Sequence, residues 1–244
     1  MTAPRFLVPG VMAPGQTVLL PASVDHHARR VLRLHAGDLV TLFDGLGNEF
    51  EAVLGPPPMN ETRSQASILR GGPVDREAKL QITLVQALCA QEKIDWLVEK
   101  CVELGVGRLI LAPTARSVVR LDGARRERRA ARWHDIVVAA CCQCGRNRLP
   151  VLEVADDLAS ALRRAQPAQR RWILDPDASA GTLSAGAGPV ACVVGPEGGF
   201  TQAETSLAAS LGYERVRLGP RILRTETAGL AAISALLALH GELG

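Results

Sequence analysis

In the first third of the chain, short apolar runs (Thr17 to Leu20, Leu39 to Phe43, Glu49 to Leu54, Ala66 to Leu69) alternate with Gly, Pro and Asp. That spacing predicts a small β-rich unit, with Asp25 to Leu34 as its one helix. Gly55-Pro56-Pro57-Pro58 and Gly71-Gly72-Pro73 are the strongest backbone punctuation and set a boundary near residue 73, giving units at 1–72 and 73–244. Beyond it the pattern changes. Leu80 to Leu88 reads as a buried strand. Lys93 to Leu104 reads as a helix whose Ile94, Leu97, Val98, Cys101, Val102 and Leu104 form one apolar stripe closed by Gly105 and Gly107. Strands at Arg108 to Ala112, Arg171 to Leu174, Val190 to Val194 and Val216 to Leu218 then alternate with helices at Arg125 to Cys142, Leu158 to Ala165, Thr201 to Leu211 and Glu226 to His240. Alternation of this kind predicts an α/β fold with a parallel sheet. Trp96 and Trp133, with apolar neighbours in helices, are expected in the core.

Composition narrows the function. Aromatic residues make up 3% of the 244, too few for a stacking platform to be the main means of holding nucleic acid. Twenty-five arginines stand against three lysines, and their spread is uneven. Residues 1–72 are neutral overall, whereas 115–148 carry nine arginines against three acids. Arg116, Arg120, Arg125, Arg126, Arg128, Arg129 and Arg132 fall there, four of them at helical spacing on one face. Either a polyanion-binding face or a solvated helix face explains them. No basic segment followed by an apolar run opens the chain. The longest small and apolar run, Ala228 to Leu239, is short of a membrane span. Six scattered cysteines suit a reduced, cytoplasmic setting. No metal is expected, because Cys141-Cys142-x-Cys144 lacks a second ligand pair. His26 and His27, beside Arg29 and Arg30, read as surface or polyanion-contacting rather than catalytic.

Two segments carry the chemistry. In Val193-Val194-Gly195-Pro196-Glu197-Gly198-Gly199-Phe200-Thr201 a buried strand breaks into a glycine-rich turn before a helix. Backbone amides there can approach a ligand closely. It is neither a Walker A loop nor a GxGxxG fingerprint, and a turn without a ligand stays open. In Leu218-Gly219-Pro220-Arg221-Ile222-Leu223-Arg224-Thr225-Glu226-Thr227-Ala228 apolar residues sit within a loop, which suggests deep packing or an apolar pocket. Thr225 reads as a helix N-cap and Glu226 as a first-turn acid favoured by the helix dipole, with a site role for Glu226 equally open.

Together these segments resemble the SPOUT class of RNA methyltransferases, and specifically the family that methylates uridine N3 in small-subunit (16S) ribosomal RNA. The resemblance extends over nearly the whole chain, through Arg30-Val-Leu-Arg33, Leu42-Phe-Asp-Gly45, Glu103-Leu-Gly-Val106 and Gln143-Cys-Gly-Arg-Asn-Arg148. It implies an N-terminal PUA-like RNA-binding β-barrel, a C-terminal α/β domain with a deep trefoil knot, S-adenosylmethionine as methyl donor, and a homodimer. On that basis Leu174, Gly195, Pro196, Glu197, Gly198, Gly199, Leu218, Gly219, Pro220, Ile222, Leu223, Arg224, Thr225 and Ala228 bind the donor, while Arg224 and Glu226 are the catalytic candidates. Arg5, Arg30, Arg33, Arg116, Arg146, Asn147 and Arg148 are the RNA-binding candidates. One departure is Ala87-Leu88-Cys89-Ala90-Gln91, where a more basic loop is expected. Two other functions compete: methylation of a different RNA, and a non-catalytic RNA-binding assembly factor.

Overall fold

The computed structural model describes residues 3–119, 121–179 and 181–243; Arg120 lies outside them. The chain divides into two units: residues 1–77 with 141–149, and residues 78–140 with 150–244. The first unit therefore ends a few residues beyond the glycine-proline boundary and takes in a second, distant piece of sequence.

Five strands build the first unit: β1 (Arg5–Leu7), β2 (Thr17–Leu19), β3 (Leu39–Phe43), β4 (Asn48–Gly55) and β5 (Gln65–Pro73). They pair in the order β1-β3-β4-β5-β2. Only β1 and β3 run parallel. The edge strands β1 and β2 do not pair with each other, so the expected barrel is not closed by backbone bonds among the described residues. Alternate residues Phe50, Ala52 and Leu54 of β4 are buried, as a strand with one wet face requires. They join Phe6, Leu20, Val40, Leu42 and Ile68 in one core. The single helix expected at Asp25 to Leu34 is instead α1 (Ala22–His26), running into a wider π-helical turn at His27–Val31. Arg33 ends it in the left-handed region at φ 56°. Within α1, Asp25 Oδ1 accepts the Ser64 amide at 2.9 Å.

The piece 141–149 is sewn into this unit by backbone and side chains. Gly47 N donates to Asn147 O at 3.1 Å and Leu149 N to Gly45 O at 3.0 Å. Arg5 bonds Glu49 at 2.5 Å, Asn147 Oδ1 at 2.6 Å and Gly145 O at 3.2 Å. Arg76 bonds the same Glu49 and the same Gly145 carbonyl. Glu49 is consequently held down to about 2: the Arg76 hydrogen bond outweighs the opposing effect of burial, and Arg5 adds to it.

The second unit is a six-stranded, wholly parallel sheet: β6 (Ile82–Ala87), β7 (Arg108–Ala112), β8 (Val151–Val154), β9 (Arg170–Leu174), β10 (Val190–Val194) and β11 (Glu214–Val216). Their order is β11-β9-β10-β6-β7-β8. The helices are α2 (Gln91–Glu103), α3 (Gly123–Cys144), α4 (Leu158–Arg164), α5 (Gln202–Ser210) and α6 (Thr225–Leu239). The last turn of α3 belongs with the first unit. Every residue of β10 is buried, which is why it reads as an unbroken apolar run. The predicted stripe of α2 faces inward, and Trp96, off that stripe, is 46% exposed rather than in the core. Trp133 is buried, its indole N–H donating to Asp95 at 3.0 Å. Among the described residues no helix is long and apolar enough to cross a membrane.

Candidate functional site

In an open parallel sheet, ligands enter the crevice beyond the carboxyl ends of the strands where the chain order reverses. Here the order runs outward through β6, β7 and β8, then returns so that β10 inserts between β9 and β6. Beyond β9, β10 and β11 lie three loops, and they surround a cleft of about 660 Å³, within the usual size of a small-molecule site.

The loop after β10 turns sharply. Gly199 N donates to Pro196 O at 2.9 Å with Gly199 in the left-handed region at φ 68°. Gly195 lies against Phe200: a Cβ there would stand 3.0 Å from its ring. Thr201 then caps α5, its hydroxyl accepting Glu204 N while the Glu204 carboxylate accepts Thr201 N, a capping box. Arg116 donates to Gly198 O at 2.8 Å and lines the cleft. Its guanidinium braces the turn rather than extending freely toward solvent.

The loop after β11 is fixed at both ends. Arg217 folds onto the Gly219 and Pro220 carbonyls at 2.8 and 3.2 Å, so those two residues do not line the cleft, whereas Leu218, Ile222, Leu223, Arg224, Thr225 and Ala228 do. At its far end the expected cap is corrected. Arg224 is the N-cap of α6, without a side-chain bond, and Thr225 is the first helical residue. The Thr225 hydroxyl donates to Gly195 O at 2.5 Å and accepts from Gln86 Nε2 at 2.8 Å. A buried hydroxyl thus joins the two loops that sequence motifs had flagged separately. Gln86, fully buried in β6, escaped the sequence reading; its signal was an amide, one of two with Gln81, within the mostly apolar run Leu80 to Leu88.

The third side is Leu174 with Asp175, whose Oδ2 accepts Arg215 Nε at 2.9 Å. Lys93, also missed, reaches the wall from α2. It donates to Glu197 at 2.7 Å and stands 3.7 Å from Glu226. Burial opposes ionisation of Glu197, but the Lys93 bond, a backbone hydrogen bond and the Lys93 charge together outweigh it and hold its carboxyl below the ordinary value; the same bond raises Lys93. Glu226 does not line the cleft itself and meets it through Lys93. Arg224, like Arg221 and Ile222, is exposed at the mouth.

These features fit a methyl donor of the S-adenosylmethionine type. Leu174, Val194, Leu218, Ile222, Leu223 and Ala228 offer apolar walls for a nucleoside. Gly199 faces open space on its Cβ side, so its backbone is accessible. Asp175, Glu197, Arg221 and Arg224 offer both charge signs to a zwitterionic end.

The RNA candidates separate into two groups. Arg30, Arg33 and Arg148 are exposed, Arg30 and Arg33 beside the exposed Val31 and Leu32. Arg146 and Asn147 are buried: Arg146 binds Glu77 and Asn147 Nδ2 donates to Val74 O. With Arg5, these residues hold the first unit together. In α3, Arg126 pairs with Asp156 and Arg132 with Asp95, while Arg125 and Arg128 are exposed.

Comparison with known proteins agrees with this geometry. Residues 76–237 match an RNA methyltransferase domain and residues 26–56 an RNA methyltransferase PUA domain. A ribosomal RNA small subunit methyltransferase E from Neisseria gonorrhoeae, solved bound to S-adenosylmethionine, is 37% identical over 98% of each chain with a TM-score of 0.85. A methyltransferase from Legionella pneumophila, solved with the same cofactor, is 33% identical over 98% of each chain with a TM-score of 0.89. The ribosomal RNA small subunit methyltransferase E of Mycobacterium bovis is 30% identical over 97% of this chain and 92% of its own.

Proposed function

The chain belongs to the RNA methyltransferase family that couples a PUA domain to a methyltransferase domain, and from that membership we propose that it methylates N3 of a uridine in 16S ribosomal RNA, with S-adenosylmethionine as donor. The observation that carries the reading is the cleft closed by the Thr225–Gly195 bond, in a chain 37% identical to a relative crystallised with that donor.

When bound, the donor supplies a methyl group made electrophilic by its sulfonium. The chain's own residues do the rest. Backbone amides of Gly195, Glu197 and Gly198, with the apolar walls, hold and orient. Uridine N3 carries an imide proton that ionises above neutral pH, so a proton acceptor and a cation near the uracil oxygens favour attack. Glu226 is the acceptor and Arg224 the cation, or the group that orients the donor's carboxylate. With the donor bound, Glu226 would accept the proton that N3 gives up as the methyl group passes to it, and the donor would leave as the neutral thioether. Exposed Arg30, Arg33, Arg125, Arg128 and Arg148 suit phosphate contacts, and Arg116 reaches RNA only alongside its bond to the donor turn. The same reading assigns a deep trefoil knot, for which the insertion of β10 between β9 and β6 is the support, a homodimer as the active form, and the small ribosomal subunit as substrate.

Calorimetric titration with S-adenosylmethionine, followed by tritium transfer to small subunits from a strain lacking the enzyme, tests the proposal. Saturable binding and a new reverse-transcription stop at one uridine are expected, because an N3 methyl removes a pairing proton. Folded protein that binds no donor would leave the RNA-binding assembly factor. Transfer to another RNA alone would shift the substrate.

A further inference from the structure

Lys93, on α2, is one of only three lysines in the chain. Its ammonium faces two carboxylates from two other segments: Glu197 of the glycine turn at 2.7 Å and Glu226 at the head of α6 at 3.7 Å. The inequality matters. The Glu226 side chain is only 14% exposed, and its Oε2 is buried without a hydrogen-bond donor among the described residues. Such an oxygen is costly to bury unless a charge stands close. At 3.7 Å the ammonium supplies that attraction without filling the lone pair. The adjacent Cys89 thiol, pushed up to about 12 by burial, stays protonated and adds no charge. An acceptor oxygen with a lone pair still unfilled is what an incoming imide N–H requires.

We propose that Lys93 is a positioning residue for methyl transfer, holding the Glu226 carboxylate in place while tethering the 195–199 turn to the same point. The proposal rests on the reading of Glu226 as proton acceptor. Its chemistry is indirect: Lys93 neither gives nor takes the transferred proton.

Two measurements test it. Reductive ¹³C-dimethylation of the donor-free protein keeps the lysines charged and yields a simple spectrum, with the Lys93 resonance identified by its loss in Lys93→Arg. Glu226→Gln should lower the Lys93 titration midpoint. In turnover assays Lys93→Met should lower kcat about tenfold or more with the donor Kd within about threefold, and Lys93→Arg should recover most of the rate. The proposal is overturned by an unmoved Lys93 midpoint in Glu226→Gln or by parental kcat in Lys93→Met. Equal impairment of the Met and Arg variants with donor affinity lost in step would also overturn it, since that pattern marks a purely structural role. Absence of transfer by the parental protein instead overturns the wider reading and the catalytic role of the pair, while the titration still reports whether the pair exists.

Discussion

Two ionic clusters of similar composition do opposite things. In the first unit, Glu49 receives two guanidinium groups and Arg146 grips Glu77. At the cleft, one ammonium is divided between two carboxylates, and Glu226 keeps an oxygen unbonded. In the first cluster every carboxylate is bonded by guanidinium groups, even though the Arg5 Nε is itself buried without a partner; such pairs fix a shape, since breaking one strands a buried charge. An under-coordinated carboxylate has capacity left for substrate. Charge in a sequence therefore says little about function until its partners are counted.

The sharpest way to break this comparison is Arg146→Ala. If the first cluster is structural, loss of one partner of a buried pair should lower stability by about 3 kcal/mol or more, measured by urea unfolding. A variant that unfolds like the parent but fails on RNA would make Arg146 an RNA ligand. At the cleft, Glu226→Gln should leave unfolding unchanged and reduce kcat about a hundredfold in single-turnover transfer. Parental kcat would remove Glu226 as the proton acceptor. Gly195→Ala, forced against Phe200, should weaken donor binding about tenfold by calorimetry, at a stability cost of about 1 kcal/mol. Arg128→Ala, on an exposed arginine, should weaken RNA binding uniformly and reduce the slope of log affinity against log salt by about one; an unchanged slope would take α3 out of the RNA interface. The smallest effect concerns acid. Glu49 lies near 2, below its ordinary 4.5, so its stabilising contribution is complete above pH 4.5 and is lost as pH falls toward 2. Melting temperatures of Glu49→Gln should show a shallower fall across that window than the parent's.

Much of this architecture was legible because β6, β7 and β10 are mostly apolar runs buried on both faces and β9 ends in one, Trp172 to Leu174. β8 was not, since Val151 is exposed and its neighbours are only half-buried. Glycine turns flagged two walls of the cleft, but the bond between them was invisible: Thr225 and Gly195 are 30 residues apart, and Thr225 has the composition of a cap. The burial of Arg146 was equally hidden, because Glu77 lies 69 residues away and an arginine between a glycine and an asparagine reads as surface. Lys93 carried a faint signal as a lysine in an arginine-rich chain. What it does depends on two loops that local sequence cannot bring together.

The Thr225 hydroxyl also sets an order in time. During synthesis the N-terminal parts of a chain gain structure first, and five of the six strands of the parallel sheet precede the glycine turn. The turn's carbonyl at Gly195 finds its hydroxyl partner only when residue 225 arrives and α6 docks. The cleft is thus closed late, and a nascent chain halted within α5 would hold five strands of the sheet yet lack the α6 wall of the cleft.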